Sequence, residues 1–260
     1  MATAELLGPA QLYLDLLKRT LTRLATEDES LVPEQPPPRS AQPLDVERRL
    51  AGLDWPVHAE TMIGLRRLDQ LQAAVETVLR EDIPGDLLEA GVWRGGAGIL
   101  MCAALAAYGD RSRTVWLADS FAGLPPPDPD AYPADAEIDM SPAAGYPELA
   151  VPLDEVRSNF ERYGLLDERV RFLKGFFRET LPSAPVEQLA LLRLDGDLYE
   201  STWVALDALY PKLSSGGFVI VDDYGAMEPC RRAVEDFLTA GAIRAPLQTI
   251  DWTGAYWRKP

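Results

Sequence analysis

The chain has 260 residues, 47% hydrophobic and 25% charged, an ordinary soluble-protein balance with length enough for a substantial core. Its 25 basic and 41 acidic side chains leave a formal charge of −16, which repels phosphate backbones and weighs against a nucleic-acid partner. Two cysteines, Cys102 and Cys230, fit neither a zinc cluster nor a disulfide framework, and a single histidine, His58, leaves little scope for histidine chemistry.

The start, MATAELLGPAQLYLDLLKR, carries Glu5 and Asp15 among its apolar residues and does not read as a secretory signal. No apolar run is long enough to span a membrane, so the expectation is a reduced, cytoplasmic protein with no membrane partner. Leu14, Leu17, Leu21 and Leu24 recur at helical spacing and predict a helix over 11–25. Pro33, Pro36, Pro37, Pro38 and Pro43 then predict an extended connector. A second amphipathic helix over 68–82 leads into the main domain. The expected division is a helical, lid-forming extension over 1–82 and a catalytic domain over 83–260, forming one unit.

From residue 86 the pattern alternates. Strands are predicted at 86–92, 114–120, 170–175, 189–196 and 216–224, and helices at 95–109 and 153–164, with Gly164 as a stop. Further helices follow in ESTWVALDALYPKL and PCRRAVEDFLTAG, and the tail predicts a hairpin with Thr253 and Gly254 in its turn. Such units build a largely parallel α/β sheet covered on both faces, with an antiparallel edge. Ligands of these sheets bind beyond the carboxyl ends of the strands.

At the end of the first such strand stands Glu89-Ala90-Gly91-Val92-Trp93-Arg94-Gly95-Gly96-Ala97-Gly98. Glycines there allow a tight turn and a close backbone approach to a ligand. A dinucleotide fold needs G-x-G-x-x-G to receive a pyrophosphate, but here the later glycines are displaced and Glu89 would repel one. An acidic residue at that point suits an ammonium instead. Asp119 ends the second strand, where a carboxylate can accept ribose hydroxyls. Glu89, Gly91 and Asp119 together describe an adenosyl cofactor without phosphates, and an NAD-dependent oxidoreductase is the rival they disfavour.

Asp195 and Asp197 flank Gly196 after the fourth strand, and Asp222 and Asp223 follow the fifth. If the fourth strand continued, its period of two would aim Asp195 and Asp197 the same way. Four unpaired carboxylates at one sheet edge repel one another, and a hard cation resolves this. The plain alternative is loop starts and helix caps. A catalytically silent scaffold would not need the full set of acids.

At these residues the sequence resembles the macrocin O-methyltransferase family. The matching stretches are Tyr13–Lys18, Thr61–Gly64, Leu88–Gly96, Asp119–Pro125, Leu194–Thr202 and Val221–Tyr224, and the likeness runs from about residue 11 to 258. It implies a class I, Rossmann-like methyltransferase fold with a seven-stranded, mostly parallel sheet, an antiparallel C-terminal strand and an N-terminal helical extension. It further implies S-adenosylmethionine as donor, Mg²⁺, a homodimer or higher homo-oligomer, and a glycosylated small-molecule acceptor of macrolide or aminocoumarin type. A catechol-like or other vicinal-diol acceptor is the alternative. Asp195, Asp222 and Asp223 are implied as metal ligands and Asp197 as general base, with Asp195 the other candidate. Thr61 and Met62 would cover the methionine end, Gly175 and Phe176 would lie near the adenine, and Trp93, Arg94, Ser120 and Phe121 of the matched stretches would complete the donor pocket. The long, proline-rich loop 124–148 reads as a lid over the acceptor, with Tyr132, Met140 and Tyr146 as contacts.

Overall fold

The structure is a computed structural model that describes residues 8–34 and 37–260; Glu5 at the start and Pro36 of the connector lie outside the described residues. Helix α1 (Pro9–Leu21) opens on a proline and buries Leu14, Leu17 and Leu21. It stops short of the predicted residue 25 because Thr22 Oγ1 bonds back to the Lys18 carbonyl and Arg23 turns to a φ of +55°.

The connector is not simply extended. Strands β1 (Glu29–Leu31), β2 (Gln42–Pro43) and β3 (Trp55–Pro56) form a small antiparallel sheet in the order β2-β1-β3, and α2 (Val46–Ala51) is capped by the Asp45 carboxylate. Arg49 explains the order. Fully buried, it donates to Asp28, Asp54, Ser30 and the carbonyls of Thr22 and Glu29. One satisfied buried guanidinium thus stitches together a segment whose proline content suggested looseness.

Helix α3 (Leu65–Arg80) leads to the main α/β unit, which runs β4 (Asp86–Ala90), α4 (Gly96–Ala107), β5 (Val115–Asp119), α5 (Leu153–Arg162), β6 (Val170–Lys174), α6 (Phe177–Thr180), β7 (Leu189–Leu194), α7 (Tyr199–Leu209), β8 (Leu213–Val221), α8 (Glu228–Ala240), β9 (Gln248–Thr249) and β10 (Ala255–Arg258). The seven strands order as β6-β5-β4-β7-β8-β10-β9. The first five of that order are parallel, β10 runs antiparallel to β8, and β9 in turn pairs antiparallel with β10. Alternation splits the core into two layers: Leu87 and Leu191 face one with α1, α3 and α4, and Leu88 and Leu192 face the other with α7 and α8. The chain leaves β4 toward β5 and β6, then crosses back to β7, which makes the β4 edge the switch point where ligands bind. Among the described residues no helix is long and apolar enough to cross a membrane.

Candidate active site

Gly91 leaves β4 with a φ of +94°, and its amide donates to the Ala118 carbonyl at 2.9 Å. A Cβ there would lie 1.7 Å from the Asp195 carbonyl oxygen, so only glycine lets these strand ends meet. Glu89, 1% exposed, faces the cleft beside it. Its Oε1 accepts from Arg193 at 2.8 Å, while its Oε2 has no hydrogen-bond partner among the described residues. Burial pushes this carboxyl up to about 8, against the pull of Arg193. An unpartnered carboxylate oxygen is costly to bury, and a ligand cation brought beside Glu89 would relieve that cost. Asp119 is tied differently: its two oxygens accept from the backbone of Val92 and Phe121, each at 2.7 Å. Burial raises its carboxyl and those N–H groups oppose the rise.

On the other flank, one oxygen from each of Asp195, Asp222 and Asp223 lies within 4.8 Å of the others. These acids are not all unpaired, which corrects the sequence expectation. Arg193 on β7 donates to Asp195 at 2.9 Å and to Asp222 at 2.5 Å. Arg67 on α3 donates to the second oxygen of Asp222, and to Asp251 at 3.1 Å. Burial would raise Asp222, but the two guanidiniums outweigh it and hold the carboxyl below its ordinary range. Asp195 is pushed up to about 6 by burial and Asp222, despite Arg193.

Asp223 forms no ion pair among the described residues, and burial with Asp197, Asp195 and Asp222 pushes it well above the usual value. Asp197 rises to about 7 through burial, then Asp195 and Asp222. The strand does not continue to aim Asp197, because β7 ends at Leu194 and Asp197 sits at a φ of +59°. Its amide donates to Asp223 at 3.1 Å, which holds the turn to the β8 edge. An all-oxygen cluster with surplus negative charge fits a hard divalent cation.

Both flanks open on one cleft of about 540 Å³. Thr61, Met62, Glu89, Gly91, Trp93 and Asp119 line one side, and Asp195, Asp197, Asp222 and Asp223 the other. A smaller adjoining cleft shares Gly91, Asp119, Asp195 and Asp197 and adds Ser120 and Phe176.

The family model described as macrocin-O-methyltransferase (TylF) matches residues 10–259. The chain belongs to the macrocin-O-methyltransferase family. Over 247 residues it is 54% identical to an 8-demethyl-8-(2,3-dimethoxy-alpha-L-rhamnosyl)-tetracenomycin-C 4'-O-methyltransferase of Streptomyces olivaceus, covering 95% of this chain and 92% of that protein. It is 48% identical to a demethyldecarbamoylnovobiocin O-methyltransferase of Streptomyces niveus over 250 residues, covering 96% and 94% of the two. The solved structure of the O-methyltransferase NovP superposes with a TM-score of 0.88 at 48% identity, covering 96% of this chain and 99% of that one. The fold is that of the class I S-adenosylmethionine-dependent methyltransferases.

Three expected donor residues of this methyltransferase line neither cleft. Arg94 turns away to the carbonyls of Pro56 and Ala59 at 3.2 and 3.0 Å, Phe121 packs into the core against Phe172, and Gly175 carries a φ of +143° with its amide on the Asp119 carbonyl. In the long loop, Met140 and Tyr146 line the cleft, whereas Tyr132 packs on Tyr199 with ring centroids 6.3 Å apart. Asp135 anchors that loop by accepting from the first amides of α7, Tyr199 at 2.7 Å and Glu200 at 3.0 Å. Sequence reasoning missed Arg67, Arg193 and Asp251. For Arg193 a signal existed: a lone arginine inside the apolar run LALLRL, every residue of which is buried.

Proposed function

We propose that this methyltransferase transfers the methyl of S-adenosylmethionine to a sugar hydroxyl of a glycosylated natural product, with Mg²⁺ held by Asp195, Asp222 and Asp223. The observation that carries the reading is one cleft walled by the Glu89–Gly91–Asp119 set and by the three-carboxylate cluster, with Asp197 beside both. The sugar acceptor is supported by the S. olivaceus relative, whose name specifies a rhamnosyl compound and a 4'-O-methylation.

The donor supplies an electrophilic methyl on a sulfonium, and the cation, when bound, acidifies and orients a hydroxyl beside it. Glu89 and Asp119 would hold the donor, Glu89 beside its ammonium and the Asp119 carboxylate by lone pairs left for ribose hydroxyls. Thr61 and Met62 border the same side of the cleft. Asp197, raised to about 7 and outside the three-acid cluster, takes the proton from the attacking hydroxyl. Met140, Tyr146 and Leu149 line the same cleft beside the donor and metal sets. The enzyme works in the cytoplasm as a homo-oligomer, a state that light scattering reads directly.

The test is a glycoside screen with S-adenosylmethionine and Mg²⁺, read as a mass gain of one methylene in the acceptor. Activity on catechols but not on glycosides defeats the sugar assignment. Full activity after exhaustive chelation defeats the metal.

A further inference from the structure

Arg193 touches both flanks of the site. The strand register places it opposite Glu89 on β4 and opposite Ile220 on β8, two residues before Asp222. Its side chain is 2% exposed, so its direction is set by protein groups alone. One terminal nitrogen donates to Glu89 Oε1 at 2.8 Å, and the other to Asp195 Oδ2 and Asp222 Oδ1 at 2.9 and 2.5 Å. Arg67 also reaches Asp222, but its remaining partners are Asp251 and the Gly52 carbonyl. It makes no hydrogen bond to Glu89.

We propose that Arg193 is a positioning residue shared by the donor and metal sites, so that the two sites are energetically linked through its guanidinium. The inference rests on the donor-and-metal reading above. Arg193 occupies one oxygen of Glu89, a residue of the cleft wall, and leaves its Oε2 without a hydrogen-bond partner among the described residues. The same rigid fork fixes the direction of Asp195 and Asp222. A lysine ammonium would keep the charge but, being a compact point charge on a flexible stem, could not span the three carboxylates. Removing the Glu89 acceptor would free the fork to hold Asp195 and Asp222 more tightly and compete with the cation for them.

Calorimetric titration of metal-free protein with S-adenosylhomocysteine, and separately of the protein with Mg²⁺, tests the link. Arg193→Lys is expected to weaken both ligands by about tenfold, the range seen when groups supporting metal ligands are changed. Arg67→Lys is expected to weaken Mg²⁺ and leave S-adenosylhomocysteine within about twofold, since Arg67 shares Asp222 with Arg193 but no partner with Glu89. A merely structural arginine would lower the melting temperature without this split between ligands. Unchanged S-adenosylhomocysteine affinity in folded Arg193→Lys, or an equal loss in Arg67→Lys, overturns the proposal.

Glu89→Ala, which removes the acceptor whatever its protonation, approaches from the other end and decides the matter if Arg193→Lys does not fold. It is expected to weaken Mg²⁺ by about threefold or more, although Glu89 is outside the three-acid cluster; coupling of that size is typical for residues in one ion-pair network. Unchanged Mg²⁺ affinity overturns the link. Wild-type protein that binds neither ligand overturns the donor-and-metal reading and the link with it, whereas wild-type binding of both with null variants overturns the link alone.

Discussion

The two flanks of the cleft handle acidic residues in opposite ways. On the donor flank, Asp119 is held by two backbone amides, and its position follows from the fold alone. On the metal flank, Asp195, Asp197, Asp222 and Asp223 stand together with two guanidiniums, both of which converge on Asp222. Backbone amides fix a carboxylate without consuming charge elsewhere, whereas crowded carboxylates either protonate or gather cations. Asp119 is therefore complete as folded, whereas the metal flank is built to accept further positive charge.

The largest expected effect would sharpen that contrast within the metal flank. Asp197→Asn should lower kcat by about 10²–10⁴-fold, as loss of a general base does, while Mg²⁺ affinity stays within a few-fold of wild type. Steady-state rates with a magnesium titration check it, and normal turnover would remove Asp197 from the mechanism. Gly91→Ala would break the contrast by disturbing both flanks together, because its methyl falls on the Asp195 carbonyl at a positive φ. Backbone strain alone should cost about 1–3 kcal/mol, read by chemical denaturation, with S-adenosylhomocysteine and Mg²⁺ binding both impaired. Asp119→Asn should act on the donor flank only. It places an amide NH₂ against a backbone N–H, so S-adenosylhomocysteine should bind about tenfold more weakly with Mg²⁺ affinity unchanged.

The smallest effect is a pH dependence. Asp195 near 6 and Asp197 near 7 lie above their unfolded values, so the folded, metal-free protein holds more protons than the unfolded chain between those limits. Their contribution to stability is therefore lost as pH rises through that window. Magnesium requires the deprotonated acids, so the gain in melting temperature on adding Mg²⁺ should grow from about pH 5.5 to about pH 8. A gain that is flat or shrinks with pH contradicts the assignment of those acids.

The sequence made the strand–helix alternation, the order of the acids and the terminal hairpin legible, because these depend on local period and turn chemistry. Long-range partners were not legible. Arg67 meets Asp222 across 155 positions, and nothing in the α3 pattern distinguishes it from the neighbouring Arg66. The small sheet around Arg49 was hidden for the same reason, since its acceptors come from separate turns. Asp197 was found from its spacing, yet the spacing argument assumed a strand that ends at Leu194; a left-handed turn and the Asp223 carboxylate place it instead.

Asp135 has a mechanical consequence. Its carboxylate is the acceptor for the first two amides of α7, the helix that follows the turn bearing Asp195 and Asp197. Swinging the whole 124–148 loop outward would strip those amides of their partner, at about 0.5–2 kcal/mol for a lost helix cap. Movement confined to the stretch beyond Asp135, which carries Met140 and Tyr146, incurs no such loss. The loop is thus pinned at two places, to α7 through Asp135 and at its far end where Arg39 donates to the Gly145 carbonyl and Trp93 to the Glu148 carbonyl, which leaves the stretch between them as the part free to give.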